Sequence, residues 1–120
     1  MDKVLLINDE PSLRGLLAGI LQQKGYEVVL AENGKQGVAQ FRREQPDVTV
    51  VDLKTPGMDG LTVLKALQAV DPKSPVVIFT GADQENMDEA IRALGGRALI
   101  QKPSSLHCLG ETLHRLLHPL

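Results

Sequence analysis

The sequence predicts an α/β fold in which a doubly wound parallel sheet lies between helices on both faces. Two observations predict it. Short β-branched apolar runs recur along the chain, and longer stretches with helical spacing lie between them. A run that is apolar without alternation suits a strand buried on both faces. Strands joined by short helical connections, with right-handed crossovers, form a parallel sheet between two helical layers.

The elements follow in order. Val4-Leu5-Leu6-Ile7 is the first strand. Leu13, Leu16, Leu17, Ile20 and Leu21 make the apolar stripe of the first helix, with Pro11 in its first turn and Gly25 as its stop. Val28-Val29-Leu30 is the second strand. Gly37, Val38 and Phe41 mark a shorter second helix that ends before Pro46. Val48-Thr49-Val50-Val51 is the third strand, and Leu61, Leu64 and Leu67 mark the third helix. Val76-Val77-Ile78-Phe79 is the fourth strand. Met87, Ala90, Ile91 and Leu94 mark the fourth helix, stopped by Gly95-Gly96. Ala98-Leu99-Ile100 is the fifth strand. Leu106, Leu109, Leu113, Leu116 and Leu117 mark the fifth helix, ended by Pro119. These units use up the 120 residues, so a single domain spanning 1–120 is expected, with no second domain.

Composition narrows the function classes. Tyr26, Phe41 and Phe79 are the only aromatics in a chain that is 42% hydrophobic, so the core must be aliphatic. A net charge of −2 gives no electrostatic case for nucleic-acid binding. No apolar run approaches the ~20 residues of a membrane span, and no signal peptide precedes the first strand. The single cysteine, Cys108, excludes an internal disulfide and favours a reducing, cytoplasmic setting.

Four polar residues stand at or just past strand ends: Asp9, Asp52, Thr80 and Lys102. Ligands of open α/β sheets bind at the carboxyl edge. Two carboxylates, a hydroxyl and an ammonium converging there suit a divalent cation and a phosphoryl group. Mg²⁺ takes oxygen ligands and keeps several waters, so Asp9, Asp52, a backbone carbonyl and water would suffice. Asp52 can be ligand or nucleophile. Taken singly, Asp9 beside Pro11 reads as a helix cap, Thr80 as a strand threonine and Lys102 as a solvated lysine. Aligned, Lys102 reads as a phosphate partner and Thr80 as a donor to a bound oxyanion. His114 and His118, with His107 and Glu111, have metal-ligand spacing but read as a solvated helix face.

Five stretches in order carry a family resemblance: Leu5-Leu6-Ile7-Asn8-Asp9-Glu10-Pro11, Asp47-Val48-Thr49-Val50-Val51-Asp52, Pro56-Gly57-Met58-Asp59-Gly60, Phe79-Thr80-Gly81 and Lys102-Pro103. With them the chain resembles, over its whole length, the receiver domain of bacterial two-component response regulators. The resemblance implies a flavodoxin-like five-stranded parallel sheet in the order 2-1-3-4-5 with five helices. It makes Asp52 the phosphoacceptor, and Asp9 and the backbone carbonyl of Lys54 ligands of Mg²⁺. Thr80 becomes the hydroxyl that answers the phosphoryl group, Lys102 its charge partner, and the Lys102–Pro103 bond cis. It also implies a histidine kinase or phosphotransfer protein as donor. A downstream effector, or a second copy in a homodimer, would read the face of the fourth helix, fifth strand and fifth helix. The chain would be a cytoplasmic switch that promotes its own phosphorylation and dephosphorylation, not a conventional enzyme.

Three positions depart from the pattern. Asn8 stands where a second acid usually holds Mg²⁺ through water, so metal affinity should fall without vanishing. Leu99 replaces a common switch aromatic. Lys54 carries a side chain that either reaches over the site or points to solvent. A flavodoxin-like nucleotide or FMN binder would need a phosphate-cradling loop, and Asn8-Asp9-Glu10-Pro11 has no glycine. An aspartate-based phosphatase would carry an acid where Lys54 stands. A receiver that signals without phosphate is the remaining alternative.

Overall fold

The computed structural model describes residues 2–52, 60–80, 98–101 and 115. Strand β1 runs Lys3–Asn8, helix α1 Pro11–Gln23, strand β2 Glu27–Ala31 and helix α2 Gly34–Glu44. Strand β3 follows at Val48–Asp52, helix α3 at Gly60–Val70, and strands β4 and β5 at Val76–Thr80 and Ala98–Gln101. All pairings are parallel, in the order β2-β1-β3-β4-β5. Fold class and strand order are therefore as the sequence implies. The fourth and fifth helices, expected around 87–94 and 106–117, lie outside the described residues except for Arg115, which is helical.

Alternation along β1 builds the core. Val4 and Leu6 face one layer with Leu17 and Leu21 of α1, Tyr26, Val48, Val50 and Val77. Leu5 and Ile7 face the other with Phe41 of α2, Val63, Leu64 and Leu67 of α3, Ala31, Val51 and Val76. Each aliphatic side chain so buried stabilises the fold by roughly 1.5–3 kcal/mol. With α1 on one face and α2 on the other, the chain passes from β1 to β2 on one side of it and then crosses back to β3 on the other side. That reversal makes the carboxyl ends of β1 and β3 the natural ligand crevice.

The helix ends obey local chemistry. Pro11 opens α1, where its missing N–H costs nothing. Gly25 follows the helix at φ +94, a conformation that suits glycine. At the start of α2 the Asn33 side chain accepts the Gln36 N–H at 2.8 Å, and the Gln36 amide oxygen accepts the Glu32 N–H. Gln45 ends α2 in the left-handed region at φ 49, and Pro46 forbids continuation.

Leu16, a member of the expected α1 stripe, is displaced from the core. Leu16 is 54% exposed, while Leu17, Ala18 and Leu21 are buried. The helix is rolled toward the side carrying Ala18 and, one turn earlier, Arg14. That roll brings Arg14 to the end of β1.

Tyr26 gives the fold a pH dependence. Its phenol is raised above the ordinary value of 10.0, first by burial and then by the Asp2 carboxylate. Lys3 is raised above 10.5, chiefly by its hydrogen bond to Glu44. In both cases the protonated form is favoured on folding. The stability they add is complete below the unfolded values and is lost as pH rises through the folded ones. Urea midpoints should fall as pH climbs above about 10, and Tyr26→Phe should make that fall shallower. Parallel slopes in the two proteins would show that the phenol does not contribute.

Candidate functional site

The site is assembled at the carboxyl edge of the sheet. Strand β1 ends at Asn8, which is 1% exposed. Its side-chain oxygen accepts the Glu10 N–H at 2.8 Å, the local bond by which an asparagine turns the chain. Asp9, half-exposed, is the middle residue of that turn. Across the sheet Asn8 is the Cα partner of Asp52, the last residue of β3. Asn8 and Asp52 therefore end adjacent parallel strands, about one interstrand spacing of 4.7–4.9 Å apart, and Asp9 follows Asn8 directly.

Thr80 also occupies a strand end. It is the last residue of β4 and the Cα partner of Gln101 in β5. Since Val51 pairs with Ile78, the carboxyl ends of β3 and β4 lie side by side. Lys102 follows Gln101 directly, but its position, like those of Lys54 and Pro103, lies outside the described residues. So do Cys108, His107, Glu111, His114 and His118. Leu99 is described through its backbone, where it pairs with Ile78. Among the described residues no group of three His, Cys, Asp or Glu gathers to hold a metal. By backbone register the edge carries Asn8 and Asp52 at paired strand ends with Asp9 next in sequence to Asn8, residue types that can offer the oxygen ligands Mg²⁺ takes.

Sequence reasoning missed Arg14. From the first turn of α1 its Nη1 donates to the Asn8 carbonyl at 3.0 Å. Its Nη2 lies 3.7 Å from Glu32 Oε1 in the loop between β2 and α2. The Arg14 side chain is 16% exposed and Glu32 67%. An ion pair so open to water contributes about 0–1 kcal/mol. A charged donor on a protein carbonyl contributes about 1.5–3 kcal/mol. The bond to Asn8 is thus the stronger of the two, and Glu32 mainly orients the guanidinium. In the sequence Arg14 is one polar residue among helical leucines; only the roll of α1 reveals its contact.

Comparison with known proteins shows the family and agrees with the fold. The family model of the response regulator receiver domain matches residues 4–114, and the chain belongs to that family. It is 29% identical over 116 residues to sporulation initiation phosphotransferase F of Bacillus subtilis, covering 97% of this chain and 94% of that protein. It is 34% identical over 119 residues to protein PilH of Pseudomonas aeruginosa, covering 98% of each. The structure of the response regulator TrrA from Thermotoga maritima, in complex with Mg²⁺-BeF, superposes with a TM-score of 0.87 at 27% identity, covering 98% of this chain and all of that one, 100%. The chain is thus a receiver domain of two-component signal transduction, a family that binds Mg²⁺ and works with histidine kinases; its members are typically not conventional enzymes. Among the described residues no helix is long and apolar enough to cross a membrane.

Proposed function

We propose that this receiver accepts a phosphoryl group on Asp52 from the phosphohistidine of a histidine kinase or phosphotransfer protein. The observation that carries the reading is the pairing of Asn8 with Asp52 on neighbouring strand ends, with Asp9 next in sequence to Asn8. An Asp52 oxygen attacks phosphorus, the phosphorus–nitrogen bond breaks, and its electron pair returns to the imidazole, which takes up a proton. Asp9, Asp52 and the Lys54 carbonyl would hold Mg²⁺ directly, with Asn8 contributing indirectly. That ion supplies charge neutralisation on the transferring oxygens. Lys102 serves as a second positive charge and Thr80 as a hydroxyl donor.

The phosphoryl group adds about 1.5–2 negative charges near neutral pH. Thr80 and the segment after it move toward that charge. The face of the fourth helix, β5 and the fifth helix then changes for a cytoplasmic effector or a second copy of the chain.

Beryllofluoride or a small phosphodonor with Mg²⁺ tests the reading directly. Mass spectrometry should find the phosphoryl adduct on wild type, and Asp52→Asn should lose it together with the beryllofluoride-induced amide shifts. An adduct that survives in Asp52→Asn would move the acceptor elsewhere. A wild type that takes neither reagent would favour a receiver acting by protein contact alone, a reading supported by Asn8, whose oxygen already accepts the Glu10 N–H.

A further inference from the structure

We propose that Arg14 is a positioning residue for the metal-binding edge, acting through the backbone of Asn8 and so on the orientation of Asp9. The inference rests on the reading of that edge as an Mg²⁺ site. Three bonds define the turn that carries Asp9. The Asn8 side chain accepts from the Glu10 N–H at 2.8 Å, the Arg14 backbone N–H donates to the Glu10 carbonyl at 2.9 Å, and Arg14 Nη1 donates to the Asn8 carbonyl at 3.0 Å. Glu10, at the cap position of α1, makes no side-chain cap bond. The guanidinium, a donor only, caps no helical N–H; it fixes instead the carbonyl of Asn8, the peptide that leads into Asp9.

The clamp is anchored at its far end. Arg14 Nη2 lies 3.7 Å from Glu32, and the Glu32 N–H is held by the Gln36 side chain of α2. The turn after β1 is thus tied through one planar group to the loop before α2. Arginine suits this task because its fork presents two nitrogens in fixed directions; a lysine brings the same charge as a single point and cannot span both partners. Groups that orient metal ligands from behind are worth about 10–100-fold in metal affinity.

A purely electrostatic role makes the opposite prediction. A guanidinium near a cation site repels the cation, so deleting its charge would tighten binding. Mg²⁺ affinity should be measured by calorimetry, without phosphodonor, in wild type, Arg14→Lys, Arg14→Met and Glu32→Gln. Amide exchange in the metal-free proteins is the second readout. Positioning requires that Arg14→Lys and Arg14→Met both weaken Mg²⁺ by about ten-fold or more, with Glu32→Gln between them and wild type. Exchange should quicken at Asp9 and Glu10 and stay unchanged at Leu5 and Leu6, which a general loss of stability would not do. Tighter binding in Arg14→Met, or equal affinities in all four proteins, overturns the proposal while leaving the Mg²⁺ site standing. A wild type that binds no Mg²⁺ overturns both. Should Arg14→Met fail to fold, Arg14→Lys with unchanged affinity still overturns it.

Discussion

Asp9→Ala is expected to weaken Mg²⁺ binding by more than ten-fold, about 1.4 kcal/mol or more, and Asn8→Asp to strengthen it. The two changes act on adjacent residues of one turn but differ in kind. In the proposed site Asp9 touches the ion, so alanine removes both an oxygen ligand and a charge. Asn8 has an oxygen already engaged with the Glu10 N–H at 2.8 Å. Aspartate there retains an acceptor for that bond, so the turn survives and only charge is added. The added carboxylate is costly without metal, because Asn8 is 1% exposed and Asp9 and Asp52 are close in sequence or register. Metal-free Asn8→Asp should therefore unfold at lower urea than wild type. At the same excess of Mg²⁺ its midpoint should rise more than the wild-type midpoint, since ligand stabilisation grows with the logarithm of concentration over Kd and the variant binds more tightly. Calorimetry and urea titrations with and without Mg²⁺ measure both effects. Equal affinity in wild type and Asn8→Asp would mean that the charge at position 8 does not reach the ion.

The carboxyl edge was legible because strand ends were legible. Continuous apolar runs have few ways to be buried, so Asp52 and Thr80, at the ends of theirs, fell on β3 and β4. Gly25 and Pro46 stopped helices for reasons that need no tertiary context. Leu16 and Arg14 were not legible, and for one shared reason. A helical stripe of five aliphatic residues is wide enough to permit more than one roll against the sheet. Packing of Ala18 and the contact of Arg14 with Asn8 accompany the observed roll, and it leaves Leu16 in water. The family resemblance makes Asn8 a weakened metal acceptor; its bond to Glu10 adds a structural task that spacing alone does not disclose.

The same chemical change, glycine to alanine, is expected to have opposite effects at two points of the chain. Gly15 and Gly19 lie in α1 with nothing within 4 Å of an added Cβ. Alanine there should stabilise by about 0.5–1 kcal/mol at each site, through helix propensity alone. Gly37 lies in α2 against β1, and a Cβ would stand 2.8 Å from Ile7 Cγ1 and 3.2 Å from Ile7 Cγ2, with Ile7 Cδ1 closer still. Ile7 is fully buried in the aliphatic layer beneath α2 and α3, so its branched side chain has no open space to enter. Overpacking of this kind costs about 1–3 kcal/mol, which outweighs the roughly 1 kcal/mol that alanine gains in a helix. Gly37→Ala should thus lower the urea midpoint while Gly15→Ala raises it. Ile7→Val removes the Cδ1 that the new methyl meets first. Alone it should cost about 0.5–1.5 kcal/mol, but combined with Gly37→Ala it should cost less than the sum. Because Ile7 immediately precedes Asn8, the strain in Gly37→Ala should also appear as weaker Mg²⁺ binding, relieved in the double variant. Strict additivity of the two substitutions would show that α2 moves away as a body, and that the close approach at Gly37 does not hold β1 in place.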